Sequence, residues 1–332
     1  MPAGLLIRLR PTGPWRIGPD SGVRDRVGRV YHSDSLYAAV SSAMAQLGNL
    51  EAWLVATARA AEPRVRFSSC FPYQGDTLLI APPRNLWPPQ ASSKVRWKGA
   101  RFVPLDVVKT LALGQTLSEG AWSIDPESEC LVPSRTPAAP GPFRVSVRSN
   151  AAVDRDGSNV APHSTACLEF TPGSGLWTVA QFSDERASDE WTDRLTAAFR
   201  LLADSGFGGE RSQGWGRSDM PQITSGEVVI TMREQPESIG YWLLSLFHPA
   251  SDDSVDWQRG NYSLMTRGGR IESSAGWGEP KKLTRMVTEG SVIAAPSAPR
   301  GSAPDVAPDG FPHPVYRAGF AVVVPIALKV TS

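Results

Sequence analysis

The sequence predicts an α+β fold built on a strand-helix-strand-strand-helix-strand unit. Three observations carry this. Helical and strand-like apolar patterns alternate through residues 1–235. That order matches a β-α-β-β-α-β ferredoxin-like unit. Beyond residue 235 the patterns are strand-like, with no clear helix, and fit a degenerate second copy. With 332 residues, 41% of them hydrophobic, the chain can bury one large core or two modest ones.

GLLIRLRP at 4–11 alternates as a strand does, and the Gly-, Arg- and Pro-rich residues 12–30 read as a loop. In HSDSLYAAVSSAMAQLG, Ser33 can cap a helix that carries Leu36, Val40, Ala43 and Leu47 on one face and stops at Gly48. RVRFSSCFPYQGDTLLIAPPR at 64–84 reads as two short strands around a turn. Residues 82–145 are broken by prolines and read as an insertion on a smaller core. FRVSVRSNAAVDRDGSNV at 143–160 reads as a strand running into an exposed arm, and SGLWTVAQF at 174–182 as a strand.

The strongest helix pattern is SDEWTDRLTAAFRLLADSG, with Ser188 as a plausible N-cap and an apolar stripe of Trp191, Leu195, Ala198 and Leu202. Four strand-like segments follow: EVVITMRE, YWLLSLFHP, YSLMTRGGRIES and YRAGFAVVVPIAL. A Pro-, Gly- and Ala-rich stretch at 294–313 reads as a mobile linker. A domain boundary falls near residue 235, giving parts 1–235 and 236–332.

The bulk numbers exclude several function classes. Thirty-four Lys and Arg against 33 Asp and Glu leave a net charge of only +1. A protein that coats nucleic acid indiscriminately is usually far more basic. Charge is uneven, however. Residues 1–31 carry Arg8, Arg10, Arg16, Arg24, Arg26 and Arg29 against Asp20 and Asp25. The three cysteines, Cys70, Cys130 and Cys167, form no C-x-x-C pair and fit neither a disulfide framework nor a zinc knuckle. Charge interrupts LLIRLRPTGPW, and no apolar run approaches a membrane span. The expectation is a soluble protein of the reducing cytoplasm, without cofactor or metal. No HExxH occurs, and the acidic residues form no cluster with further ligands nearby.

Residues 206–217 read GFGGERSQGWGR and hold five glycines, two arginines and a tryptophan. Glycine permits positive φ and close backbone approach, and successive exposed amides form an anion-binding concavity. Arg211 and Arg217 add charge, and Trp215 adds a face on which a base can stack. No G-K-[ST] of a P-loop is present. The order is helix, glycines, strand, the reverse of a dinucleotide fingerprint, so the helix offers its phosphate-repelling C-terminus. Phosphate binding must therefore come from loop amides and arginines. The competing reading is a helix-to-strand turn with no ligand.

Helix, GFGGERSQGWGR and strand together resemble the glycine-rich loop of the repeat-associated mysterious proteins (RAMPs) of CRISPR systems. HSDSLYAAVSSAM and RFSSCFPYQGDTLLIAPPR resemble blocks of one RAMP family, the fourth subunit of the type III-A Csm effector, in its Cas-five group. WLLSLFHP, YSLMTRGGRIESS, MVTEGSV and VYRAGFAVVVPI resemble its C-terminal blocks in the same order. The resemblance covers most of the chain.

It implies two ferredoxin-like (RRM-like) domains with a long insertion and a thumb in the first. It also implies a role without catalysis: binding the 5′ handle of CRISPR RNA and capping the effector. The partners it implies are the large polymerase-like subunit, the backbone RAMP subunit and target RNA near the thumb. On this sequence Gly206, Gly208, Gly209, Gly214 and Gly216 would form the handle-binding loop, with Arg211 and Arg217 on phosphates and Trp215 beside them. His32 and Ser33, at a helix N-terminus, would meet phosphate or sugar. Arg148 and Asn150 would lie at the thumb base, followed by Asp154 and Arg155. Lys94, Arg96, Lys98 and Arg101, with Trp97 interleaved, have the look of a single-strand RNA track.

Bland and rival readings stand beside these. His32 can be a capping histidine packed by Tyr31, the 94–101 run a solvated face, and Arg148 the partner of a carboxylate. YRAGFAVVV lacks the aromatics of an RNA-recognition strand and reads as core. The main rival function is a CRISPR RNA-processing endoribonuclease with His32 as general acid or base. The equivalent subunit of another type III complex, or a protein scaffold without RNA, are the others.

Overall fold

The computed structural model describes residues 4–18, 23–89, 95–135, 140–153, 160–232, 239–273 and 276–328. It is a mixed α/β protein, rich in strands, with four α-helices among the described residues. The first part opens with β1 (Gly4–Leu9), α1 (Ser33–Gln46), α2 (Leu50–Ala56), β2 (Val65–Phe67), β3 (Phe71–Gln74) and β4 (Thr77–Ile80). The insertion carries β5 (Val103–Pro104), α3 (Leu105–Ala112), β6 (Trp122–Asp125) and β7 (Cys130–Pro133). Then come β8 (Phe143–Val153), β9 (Val160–Phe170), β10 (Ser174–Phe182), α4 (Glu185–Ser205) and β11 (Gln222–Ser225).

The main sheet runs β11-β1-β10-β3-β4-β5, with β2 also on β10, and its pairs are antiparallel. The central strands β1 and β10 show why. Leu5, Ile7 and Leu9 alternate into the core, while β10 is buried at every position but Gln181, as a strand covered on both faces must be. α1 packs against α4, whose buried stripe is the one its 3.6-residue periodicity predicts: Trp191, Leu195, Ala198 and Leu202. The cap of α4 is Asp184, three to four residues ahead of the expected Ser188; its carboxylate accepts from the Ala187 amide at 2.7 Å.

β8 and β9 pair along eleven residues, from Phe143 opposite Phe170 to Val153 opposite Val160. This is the expected arm. The proline-rich insertion is more structured than expected. Trp97, Phe102, Val107, Val108 and Leu131 enter the main core, because apolar bulk between the prolines has somewhere to pack. EVVITMRE was expected as a strand, yet its described residues 227–232 form none. The edge strand is β11, at the polar QITS just before it. Backbone pairing with β1 places the strand there, not apolar content.

The second part holds β12 (Ile239–Leu243), β13 (Asp256–Asn261), β14 (Leu264–Arg267), β15 (Arg270–Ser273), β16 (Gly276–Pro280) and β17 (Thr284–Val287). β18 (Val292–Ala294), β19 (Gly301–Ser302), β20 (Gly319–Phe320) and β21 (Val323–Ala327) complete it. Its sheet runs β13-β18-β12-β21, and no α-helix follows α4 among the described residues. Trp242, Phe320, Val322 and Val324 belong to the same core cluster as Trp53 and Tyr37 from the first part. Ser69 N–H donates to the Leu244 carbonyl at 2.8 Å across the two parts.

Residues 294–313 are anchored along their length. The Asp253 carboxylate accepts from the amides of Arg300 and Gly301 at 2.8 and 2.9 Å, and Asp305 accepts from those of Ala307 and Val315 at 2.9 and 2.8 Å. No helix of the structure is long and apolar enough to cross a membrane.

Candidate nucleic-acid interface

The glycine loop begins where α4 ends, at Gly206. Two of its glycines are required by close approach. Gly216, at φ +79°, would place a Cβ 2.1 Å from the Phe207 carbonyl oxygen; Gly208, at φ +96°, would place one 2.6 Å from that of Arg16. The loop folds back on itself and clamps the segment after β1. Phe207 N–H donates to Gly216 O at 3.2 Å, Gly209 N–H to Arg16 O at 2.9 Å, and Gly216 N–H to Pro14 O at 3.0 Å. Gly206 N–H donates to Leu202 O and Gly214 N–H to Arg211 O, both at 2.9 Å.

This corrects the phosphate-cradle expectation for these amides: they are committed to the chain's own carbonyls. Trp215 is corrected too. At 8% exposure its ring offers no open stacking face. What the loop presents outward are the exposed side chains of Arg211 and Arg217, with Gly208, Glu210 and Ser212 around a shallow hollow at its tip.

The clamped segment also meets the root of the β8–β9 arm. Trp15 and Leu168 exchange backbone hydrogen bonds of 2.9 and 2.7 Å, and Arg16 Nη1 donates to the Ala166 carbonyl at 2.8 Å. The Phe207 ring lies edge-on to Trp15 and Tyr31, with centroids 4.7 and 5.1 Å away. The structure therefore gathers the glycine loop, the arm's root and the start of α1 around one aromatic cluster. On the arm, Arg148 Nη2 donates to Glu169, and Arg144 Nη2 reaches its other carboxylate oxygen at 2.7 Å. Arg144's hydrogen bond, with the Arg148 charge, holds the Glu169 carboxyl below its ordinary pKa. Only the backbone of Asn150 is described, paired with His163; Asp154 and Arg155 lie outside the described residues.

At the start of α1 the expected RNA contacts turn inward. His32 Nδ1 lies 2.8 Å from Glu289 Oε1, an oxygen that also accepts from the Ser69 hydroxyl. Burial works against the Glu289 charge, but His32 and Ser69 outweigh it and hold its pKa below the ordinary value. Ser33 is buried. Its amide donates to Ser69 Oγ at 2.9 Å, and its Oγ accepts from the Leu246 amide at 3.0 Å. It joins the two parts of the chain and caps no helix.

The expected RNA track at 94–101 does not form an aromatic-interleaved stripe. Trp97 is 1% exposed and stacks on Trp87, with centroids 5.7 Å apart and planes 7° from parallel. Arg101 Nε donates to Glu129 at 2.9 Å, and Lys98 is exposed. Lys94 lies outside the described residues, and Arg96 is described by its backbone alone.

Sequence reasoning missed Asp34, Arg267 and Arg317. Asp34 accepts from Arg267 Nε and Nη2 and from Arg317 Nη1, and all three side chains are buried. Nothing local signals this, because Arg267 and Arg317 stand 233 and 283 residues away in the chain. Among the described residues no group of three or more His, Cys, Asp or Glu is placed to hold a metal ion.

Residues 237–326 match the family model of the CRISPR Csm4 C-terminal domain. The chain is Csm4-like, a subunit of RAMP type. A chain of the crystal structure of the Csm3–Csm4 subcomplex in the type III-A CRISPR-Cas interference complex superposes with a TM-score of 0.65 at 16% identity, covering 96% of this chain and 98% of that one. A chain of the Csm1–Csm4 cassette in complex with cA4 gives 0.60 at 17% identity, covering 100% of both. One from the cassette in complex with pppApA gives 0.60 at 16%, covering 99% of both. The Csm4-like fold thus extends over the whole chain, well beyond the matched domain. No curated protein matches it.

Proposed function

We propose that this chain is a non-catalytic subunit of a cytoplasmic type III CRISPR effector, of type III-A. It binds the 5′ handle of CRISPR RNA, caps the complex, and bridges the large subunit to the first backbone subunit. The observation that carries this is the Csm4 C-terminal domain on a fold covered from end to end by chains of Csm4-containing complexes. Those complexes pair Csm4 with Csm1 in one case and Csm3 in the other, which supports two partner surfaces here.

The fold reading follows the same line. The order β11-β1-β10-β3, with α1 and α4 as the intervening helices, supports a ferredoxin-like first domain. The strand-only sheet of the second part supports a degenerate copy. The RNA path proposed here uses side chains rather than loop amides. Arg211 and Arg217 sit on phosphates, and the arm with Arg144 and Arg148 passes close to target RNA.

Tagged protein purified from its native cell, with bound RNA sequenced and bound proteins identified, tests this. RNAs sharing one 5′ end, with a large polymerase-like subunit, are the expected result. RNA without a common end would overturn the handle reading. Repeat RNA incubated with the chain alone should stay intact; cleavage lost in His32→Ala would replace the reading with an endoribonuclease.

A further inference from the structure

We propose that the cleft between α1 and the β14–β15 corner binds the phosphate group of a single nucleotide, with the base and sugar on its apolar wall. The cleft has a volume of about 540 Å³, within the ordinary range for small-molecule sites. Four cationic side chains line it, Arg267, Arg270, Lys281 and Arg317, against a single lining carboxylate, Asp34. That carboxylate is already engaged by two of the four.

The arrangement is built rather than incidental. Asp34 holds the Arg267 fork through both carboxylate oxygens at 3.0 Å, and Arg267 Nη2 also donates to Ser35 Oγ at 2.9 Å. Arg317 is fixed by Asp34 and the Gly268 carbonyl, both at 2.6 Å, and its buried Nε finds no hydrogen-bond partner among the described residues. Fixed guanidinium forks match phosphate geometry, and fixing them in advance removes the ordering cost of binding. Arg270 is exposed at the rim, where it donates to the Gly278 carbonyl at 2.5 Å.

The opposite wall is apolar. Ala38, Pro280, Leu283 and the Tyr316 ring line it, and Leu283 is 75% exposed, the most exposed large apolar side chain among the described residues. A cationic floor beside an apolar wall, in a space of this size, suits a nucleoside phosphate better than a bare anion. Such a group can come from the end of a bound RNA or from a free mononucleotide. The RNA source rests on the function proposed above; the free nucleotide does not.

The test uses the full chain, with Arg270→Ala plus Lys281→Ala at the cleft and Arg211→Ala plus Arg217→Ala at the glycine loop. Calorimetry with AMP, adenosine and inorganic phosphate is joined by anisotropy with a 5′-phosphorylated and a 5′-hydroxyl single-stranded RNA. Expected are AMP binding that exceeds that of adenosine and phosphate, its loss by at least about tenfold in the cleft variant, and no change in the loop variant. Unaltered thermal unfolding of the cleft variant excludes a folding effect. A matching loss for the 5′-phosphorylated RNA alone assigns the RNA end as the source; a loss confined to AMP assigns the free nucleotide. AMP bound equally by both variants, bound no better than phosphate, or not bound at all overturns the proposal. Handle RNA captured from cells while AMP binding is indifferent to the cleft variant leaves the proposed function standing and removes this site. Cleft-dependent AMP binding without any captured CRISPR RNA does the reverse.

Discussion

Asp34 holds Arg267 in a two-pronged ion pair, Nε on one carboxylate oxygen and Nη2 on the other, each at 3.0 Å. Arg317 adds a third bond, so two buried guanidiniums converge on one buried carboxylate. A group like this adds little as an isolated pair in water, but removing one partner strands charge in the interior.

Asp34→Asn should therefore cost roughly 3–5 kcal/mol of stability, because it keeps the size of the side chain and leaves two guanidiniums facing each other. Urea unfolding at neutral pH measures it. A loss below about 1 kcal/mol would show that water or rearrangement relieves the stranded charges.

The same carboxylate makes stability depend on acid. Burial alone raises its pKa, but Arg267 and then Arg317 outweigh burial and bring it down to about 2. In the unfolded chain it titrates near ~3.9. Its contribution is thus complete above that value and fades as the pH falls through about 2. The urea midpoint should drop between pH 5 and pH 2, by about 2 kcal/mol from this group, with Glu289 adding in the same direction. Asp34→Asn should flatten that drop, and an equally steep profile in the variant would assign the acid sensitivity elsewhere.

Two glycines of one loop should respond differently to alanine. Gly214 and Gly216 have φ of +80° and +79°, but a Cβ on Gly214 meets nothing within 4 Å while one on Gly216 meets Phe207 O at 2.1 Å. Gly214→Ala carries backbone strain alone, roughly 1–2 kcal/mol. Gly216→Ala must also push the loop off its own backbone and should cost roughly 1–3 kcal/mol more. Thermal melts of the two variants side by side decide it, and equal losses would mean that the loop opens freely.

If Arg211 and Arg217 contact RNA phosphates, replacing both with alanine should lower the salt dependence of handle binding by roughly one to two units of slope, about one per lost contact. Binding titrated over a range of salt concentrations gives the slope. An unchanged slope would remove these residues from the RNA path.

What was legible in the sequence was local. The period of Trp191, Leu195, Ala198 and Leu202 exposes α4, and the alternation of Leu5, Ile7 and Leu9 exposes β1. The glycine loop was equally visible as a place of unusual backbone, but its purpose was not. Gly208 and Gly209 serve Arg16, almost two hundred residues earlier, and composition does not name the segment that approaches. Trp215 and Trp97 misled for a related reason. A tryptophan among arginines looks like a stacking platform until the tertiary fold turns its ring inward. The cleft beside Asp34 was invisible because its cations come from two short, unremarkable segments, RGGR and YR.

The bond from Arg317 to Asp34 closes a separation of 283 residues, and Phe320 packs edge-on to Tyr37 of the same helix. At translation speeds of about 5–20 residues per second, α1 waits roughly 15–60 seconds after its own synthesis before these partners exist. During that interval its buried acid and aromatic face are uncovered. The first part of the chain therefore leaves the ribosome as an unfinished half, and a holding chaperone or an early-arriving subunit meets it in that form.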